Sequence, residues 1–456
     1  MSETRIIYQP SRPGGRNLFG HPAGLTVLFL TEMWAQFSYF GLQANLVYYM
    51  TGELNFSQTQ SSLIYGLYGA TAFFSPFFGG IISDRWLGPT RSVVFGGVLM
   101  MLGHFAMALP SLLLPALALV ALGNGLFVPP LAVQVGNLYH DDDPRKSHAF
   151  SVYYMGINVG AFLAPLVCGS LGEIAGWHYG FAAAGVGMFA GLCIYLAFRS
   201  TLPAERPRTV KTGSVAPKTA PRGSRTWLMQ ICALIAVVVL FRIGYEQSGN
   251  VIALWIQQKT DRSIALGGMQ FIVPATWFQS INPLLIIALT PLFLAVWRRS
   301  ERMGRSTNLP WRMSLGCVFA SIAMWVMVTA AAVQATAGQE VSSAWVLSYF
   351  VLLTIGELMV LPVGLTLISS LAPAEVAGAA MGAWYIAKFL GSLLAGVLGS
   401  YWGEIPATWF FSLGALSCLA GSALLLLWGM RQPSLGQGDA NTGEHPTPSS
   451  LTEVRA

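Results

Sequence analysis

The sequence predicts an all-α membrane protein with twelve transmembrane helices in two six-helix bundles. Three observations carry this. Apolar stretches of about 20 residues, the length a helix needs to cross the hydrocarbon of a bilayer, recur along all 456 residues. Only 10% of the residues are charged and 54% are hydrophobic, whereas a soluble domain is about 25% charged. One polar, basic segment then divides the apolar stretches six and six. Backbone groups inside the hydrocarbon have no water to bond, so each span must satisfy its own N–H and C=O groups as a helix.

The spans lie near residues 24–50, 61–83, 92–110, 112–139, 147–171, 178–198, 227–256, 271–297, 310–334, 343–371, 376–402 and 407–430. The chain therefore reads as an N-terminal segment (1–23), a first bundle (24–199), a linker (200–226), a second bundle (227–430) and a tail (431–456). The linker is rich in Pro, Ser, Lys and Arg with no core-forming pattern, the composition of a flexible connection. The tail is polar and rich in Pro and Gly, the composition of a disordered segment. Pro76, Pro165, Pro283 and Pro362 fall within spans, where each bends a helix and frees a carbonyl.

The net charge of +6 is distributed by side rather than gathered for a nucleic-acid partner. Of 25 Lys and Arg, 21 fall on the side of the termini and two, Lys259 and Arg262, on the other. This asymmetry places both termini in the cytoplasm of a multi-pass protein of the cell inner membrane and excludes nucleic-acid binding. Arg5, Arg12 and Arg16 precede the first span without a cleavable apolar run, so that span is expected to serve as a signal anchor. Cys168, Cys193, Cys232, Cys317 and Cys418 sit in apolar spans at no metal-like spacing and read as packing residues. His140 and Asp141–Asp143 read as a solvated loop rather than a metal site. Gly185, Gly187 and Gly191 lie inside an apolar span with no strand before them, so they form no dinucleotide loop. With no nucleophile–base constellation and no nucleotide motif, the expectation is a protein that is not an enzyme, needs no cofactor and draws on an ion gradient.

Five charges interrupt the apolar spans: Glu32, Arg242, Glu246, Glu357 and Lys388. Each costs roughly 2.5–3.5 kcal/mol at the bilayer centre on the mildest scale, so they mark a polar pathway. Arg242 stands one turn before Glu246, close enough to pair within one helix. Tyr154 and Asn158 add polar groups beside Gly156 and Gly160, a small-residue pair that lets helices approach.

Two six-helix halves and the loop Gly80-Ile-Ile-Ser-Asp84-Arg85-Trp-Leu-Gly88-Pro-Thr-Arg91 resemble major facilitator transporters, whose loop charges latch neighbouring helix ends. Residues 143–160, DPRKSHAFSVYYMGINVG, more narrowly resemble the signature of the proton-dependent oligopeptide transporter family. GNGLF (123–127), the stretch ending at Glu173, YEQ (245–247), QSINP (279–283), GELMVLPVG (356–364) and MGAWYIA (381–387) extend the likeness over roughly residues 24–430. The resemblance implies the major facilitator fold and alternating access. It also implies proton-coupled uptake of di- and tripeptides by a monomer in the lipid bilayer, with the substrate and protons as its partners. The apolar-free linker implies the twelve core helices alone.

The chain departs from the family pattern in its first half. The family's Glu-x-x-Glu-Arg is Glu32-Met-Trp-Ala35-Gln36 here, its next Arg is Gln43, and its helix-four Lys is Val128. Family analogy makes Gln36, Tyr39, Tyr68, Asn158, Asn282, Glu357 and Trp384 substrate contacts, and Glu32, Glu246 and Glu357 proton sites. Lys388 and Arg242 are not part of that pattern. Lys388 stands one turn after Trp384 and is expected to meet an anionic group of the substrate, or Glu357 when the site is empty. Arg242 and Glu246 form a structural pair. Besides peptide uptake, two alternatives remain: a relative that carries another small anionic or zwitterionic metabolite, in either direction with altered coupling, and a non-transporting sensor.

Overall fold

The computed structural model describes residues 20–140, 143–203, 226–266, 269–303, 308–371 and 377–430. Most of the expected linker, the whole expected tail and most of the N-terminal segment lie outside the described residues, as do Asp141 and Asp142.

The first bundle comprises α1 (Ala23–Tyr48), α2 (Gln58–Ile82), α3 (Pro89–Ala106), α4 (Leu113–Asn137), α5 (Arg145–Ala164), α6 (Ser170–Ala175) and α7 (Trp177–Ala197). The second comprises α8 (Thr226–Tyr245), α9 (Val251–Lys259), α10 (Ile281–Arg302), α11 (Leu309–Ala337), α12 (Ala344–Leu371), α13 (Ala377–Gly399) and α14 (Ala407–Met430). A π turn, Pro165–Gly169, joins α5 to α6, and a 3-10 turn, Glu246–Gly249, joins α8 to α9. Each of these pairs is one broken crossing, which gives twelve crossings in all. The sequence presented both as single spans.

Nine helices among the described residues are long and apolar enough to span a bilayer on length and composition alone. The three that fall short, α1 to α3, carry polar side chains that the fold buries, among them Thr31, Glu32 and Asn45 in α1, Ser61 and Ser75 in α2, and His104 in α3. Ser57 starts α2 with a capping box: its hydroxyl accepts from the Gln60 amide at 3.2 Å, and the Gln60 side chain accepts from the Ser57 amide at 3.2 Å. This arrangement satisfies two donors that a helix start otherwise leaves open.

Within the first bundle α1 packs on α5 and α7, and α4 on α2 and α3. Within the second, α11 packs on α12 and α14, and α8 on α13 and α14. Each bundle has its own apolar core. The bundles meet through α2 on α13 and α5 on α10. Glycines allow the closest approach: a Cβ on Gly66 would lie 2.6 Å from the Gly396 Cα. All five cysteines are free, and Cys168, Cys317 and Cys418 are buried.

On the side away from the ends of α1 and α14 that lead to the termini, called the far side here, lies a small β element. β1 (Thr260–Asp261) runs parallel to β4 (Val341–Ser342), and β2 (Ser263–Leu266) is antiparallel to β3 (Met269–Ile272). The expected span from residue 271 therefore starts later. Pro274 has no amide to give a helix interior, so a 3-10 turn, Ala275–Ser280, follows it and α10 begins at Ile281.

Polar contacts join the bundles across this far side. The Tyr48 hydroxyl donates to the Ala253 carbonyl at 2.9 Å, Ser62 to Asn250 Oδ1 at 3.1 Å, and Thr59 to the Ser400 carbonyl at 3.0 Å. Glu173 accepts from the amides of Ala275 and Thr276 at 3.0 and 2.7 Å and from the Thr276 hydroxyl at 2.7 Å, with Arg262 3.7 Å away. Toward the terminal side, α4 and α5 hardly touch α12 and α13 among the described residues. The bundles are thus closed together on the far side, while toward the terminal side α4 and α5 stand apart from α12 and α13 and contact persists between α2 and α13, where Phe77 lies beside Gly382.

The Gly80–Arg91 loop does not latch through its own charges. Asp84, Arg85 and Arg91 are exposed and form no ion pair among the described residues. Arg199, at the end of α7, instead donates through Nε to the Thr90 hydroxyl at 3.0 Å.

Candidate functional site: a cavity between the bundles

A cavity of about 370 Å³ lies between the bundles. Its first-bundle wall includes Gln36, Tyr39 and Gln43 from α1, Tyr65 and Phe73 from α2, Asn124 and Val128 from α4, and Tyr154 and Asn158 from α5. Its second-bundle wall includes Arg242 and Tyr245 from α8, Glu246 at the helix break, Asn282 from α10, Glu357 from α12, and Tyr385 and Lys388 from α13.

Every charge on the lining comes from the second bundle. Arg242 donates through Nη2 to Glu246 Oε1 and, at 3.2 Å, to the Ser392 hydroxyl. The expected pair therefore forms and consumes both charges. Glu357 accepts from the Tyr245 hydroxyl at 3.0 Å and from Asn282 Nδ2 at 2.7 Å. Asn282 also donates to the Thr354 hydroxyl at 3.0 Å. Among the described residues neither Glu357 nor Lys388 forms an ion pair. The expected Glu357–Lys388 bridge is not among the ion pairs of the described residues.

Phe73 links the two cations. The Arg242 guanidinium carbon lies 4.4 Å from its ring centroid, and the Lys388 ammonium 5.2 Å. The negative face of an aromatic ring attracts cations by roughly 0.5–2 kcal/mol each, so Phe73 steadies both without neutralising either.

On the first-bundle wall the bonds are neutral or turned away from the cavity. Gln36 Nε2 donates to Glu32 Oε1 at 2.8 Å. Glu32 itself is fully buried behind Gln36 and does not line the cavity. Its Oε2 is buried, with the buried Tyr153 hydroxyl lying against the carboxyl. Gln43 donates to the Tyr65 hydroxyl at 2.8 Å, and Asn158 to the Tyr154 carbonyl one turn back at 3.0 Å.

Two expected contacts stand off the wall. Tyr68 stacks behind Tyr39 at 6.0 Å between ring centroids and does not line the cavity. Trp384 is 5% exposed, belongs to the second-bundle core and packs against Gly364 and the helix that carries it. Its neighbour Tyr385 takes the wall position, three residues before Lys388. Successive residues point about 100° apart around a helix, so only one of an adjacent aromatic pair faces the cavity. Tyr245 and Tyr385 stood inside quoted motifs and were legible as candidates; Phe73 had no such signal.

The Asp143-Pro-Arg145 motif has a role outside the cavity. Arg145 holds Asp143 bidentately at 2.7–3.2 Å, donates to the Gly20 carbonyl at 3.0 Å, and stacks over Tyr139. Tyr139 in turn bonds His21 at 2.8 Å. The motif ties the entry of α1 to the α4–α5 connection.

A family model described as Major Facilitator Superfamily matches residues 28–395. The peptide transporter YePEPT of Yersinia enterocolitica is 31% identical over 463 residues, which cover 85% of this chain and 89% of that protein. The chain belongs to the proton-dependent oligopeptide transporter (POT) family of the major facilitator superfamily. The uncharacterized transporter YclF of Bacillus subtilis is also 31% identical, over 90% of this chain and 94% of that one. A di-/tripeptide transporter of Lactococcus lactis is 28% identical with similar coverage. A crystal structure of the peptide transporter POT in complex with sulfate superposes with a TM-score of 0.83 at 30% identity, covering 93% of this chain and 97% of that one. A POT family transporter solved with 5-aminolevulinic acid superposes at 0.81 with 25% identity, covering 92% and 98%.

Proposed function

We propose that this POT family member is a secondary transporter of the cell inner membrane that carries a peptide or peptide-like compound by alternating access, coupled to protons. The observation that supports it best is the cavity itself: polar and charged, placed between two bundles that are joined on the far side, with α4 and α5 standing apart from α12 and α13 on the other. The Lys and Arg asymmetry puts the terminal side in the cytoplasm, so this conformation faces inward. Gln36, Tyr39, Asn158, Asn282 and Glu357 contact the substrate, Tyr68 and Trp384 support the wall from behind, and Arg242 with Glu246 is structural. Glu32 and Glu357 are the proton sites, because both are acids inside the bundles that form no ion pair among the described residues, whereas Glu246 is held by Arg242.

Purified protein in proteoliposomes tests this. Dialanine and trialanine should accumulate inside when the interior is made alkaline, and a protonophore should abolish accumulation. Peptide binding without flux would instead support the sensor reading.

A second reading is favoured by Gln36, Gln43 and Val128 on the cavity wall, which replace the cations of the family pattern. Under it the cargo is another small zwitterion, and the same liposomes would accumulate that compound but neither peptide.

A further inference from the structure

The cavity contains two charges of opposite sign with no ionic partner among the described residues, Glu357 on α12 and Lys388 on α13, and both belong to the second bundle. The other two charges on its wall, Arg242 and Glu246, neutralise each other. The facing wall carries none. Lys388 also has no route to water along the lipid. It lies about a dozen residues from either end of its helix, it is partly buried, and its ammonium turns inward over Phe73 and Tyr385 rather than toward a membrane surface. An ammonium on the cavity wall without a counter-ion is free to make a charge-assisted bond to an arriving anion.

We propose that Lys388 is the specificity-determining contact for an anionic group of the cargo, so that the second bundle alone holds the charged ends of a short zwitterion while the first bundle offers only neutral hydrogen bonds and aromatic surface. The inference rests on the transporter reading above but not on the cargo being a peptide. Arg242 is the weaker candidate for the anion because Glu246 already balances its charge, through an Nη2 that also bonds Ser392. The adjacent helices α12 and α13 pack against each other, and neighbouring helices stand about 8–10 Å apart. Glu357 and Lys388 line one cavity from these two helices, so a single small compound carrying both charges can meet them together.

The test uses matched probes that differ only in the negative charge: dialanine against dialanine amide, alanine against alaninamide, and 5-aminolevulinic acid against its methyl ester. Each is assayed by thermal stabilisation and by binding to the purified full-length protein, wild type and Lys388→Gln, with Lys388→Arg as the charge-retaining control. At least one acid should bind wild type tenfold or more better than its neutral partner. That preference, read as the ratio of acid to neutral affinity within each variant, should vanish in K388Q and return at least in part in K388R. A preference confined to alanine or 5-aminolevulinic acid would overturn the peptide reading and leave Lys388 as the anion site. If no pair is discriminated by wild type, or K388Q discriminates as wild type does, the proposal is wrong. Binding of the neutral probes reports whether K388Q is folded, and if K388Q binds nothing, K388R carries the decision: loss of acid preference there overturns the assignment.

Discussion

Glu173, at the end of the broken α5–α6 crossing, accepts the amide and the hydroxyl of Thr276 from the opposite bundle, each at 2.7 Å. A carboxylate that takes two backbone amides and a hydroxyl at the start of a helical segment is well placed, because those N–H groups have no other partner. It joins two bodies that must separate for the far side to open.

Removing that carboxylate should therefore favour the opposite conformation. Hydrogen bonds to a charged group contribute about 1.5–3 kcal/mol each in net terms. Glu173→Ala is expected to shift the balance by about 2 kcal/mol, roughly thirtyfold, and Glu173→Gln by less. Spin labels on the far-side ends of α1 and α9 would report this as a longer distance distribution; unchanged distances would remove the latch role.

Glu32 is a test of coupling rather than of folding. Gln36 can bond the carbonyl oxygen of a glutamine as it bonds the carboxylate. Glu32→Gln should therefore keep the fold and still exchange labelled for unlabelled substrate across liposomes. Gradient-driven accumulation should drop at least tenfold. Accumulation at the wild-type level would clear Glu32 of the proton role.

Gly66 and Gly69 give a paired measurement at the α2–α13 contact. A methyl on Gly66 would meet backbone at 2.6 Å, whereas one on Gly69 has its nearest neighbour at 3.6 Å. Overpacking costs about 1–3 kcal/mol, so Gly66→Ala should melt well below wild type in detergent and Gly69→Ala close to it. Equal melting temperatures would contradict the close contact.

Trp384 and Tyr385 should separate stability from transport. Truncating a buried Trp costs about 3–5 kcal/mol, so Trp384→Ala should destabilise the second bundle markedly. Tyr385→Phe should leave thermal stability near wild type and raise the substrate concentration needed for half-maximal uptake. The reverse pattern would mean that Trp384 is the residue facing the cargo.

The exposed Asp143–Arg145 pair sets an acid limit only. Arg145 bonds hold the Asp143 carboxyl down from 3.8 to about 2. A depressed acid stabilises the fold above its ordinary value and loses that contribution as pH falls through the two values. The tie to Gly20 and Tyr139 should thus be complete at neutral pH and weaken only between about pH 4 and pH 2. Asp143→Asn is expected to leave the pH profile of uptake between roughly pH 5 and 8 where it was. A shifted profile would assign Asp143 to coupling.

The helices and the charges of the cavity were legible because both obey strong rules. Burying Arg242, Glu246, Glu357 and Lys388 in lipid is so unfavourable that their presence in apolar runs already pointed to a polar interior. What could not be read was orientation at single-residue resolution. Trp384 and Tyr385 are equally apolar on paper, and only the packing of α13 against its neighbours decides which one meets the cavity. Pro165 announced a bend where the π turn Pro165–Gly169 lies, but the break at Glu246–Gly249 was hidden for a related reason: hydropathy is blind to a local change in hydrogen-bond register. Phe73 was invisible because its partners, Arg242 and Lys388, come from the other half of the chain.

The uncharged first-bundle wall bears on speed. Sliding one bundle past the other always breaks whatever bonds the cargo makes to the moving face. Were a full charge pair among them, separating it would add to the barrier on every cycle. On the proposed reading the first-bundle wall offers the cargo only groups such as Gln36, Tyr39 and Asn158, whose neutral bonds would be worth about 0.5–1.5 kcal/mol each and exchange one for another. Grip and turnover are thereby assigned to different halves of the molecule. A cation returned to Gln36 or Val128 would be expected to tighten binding and slow the cycle together.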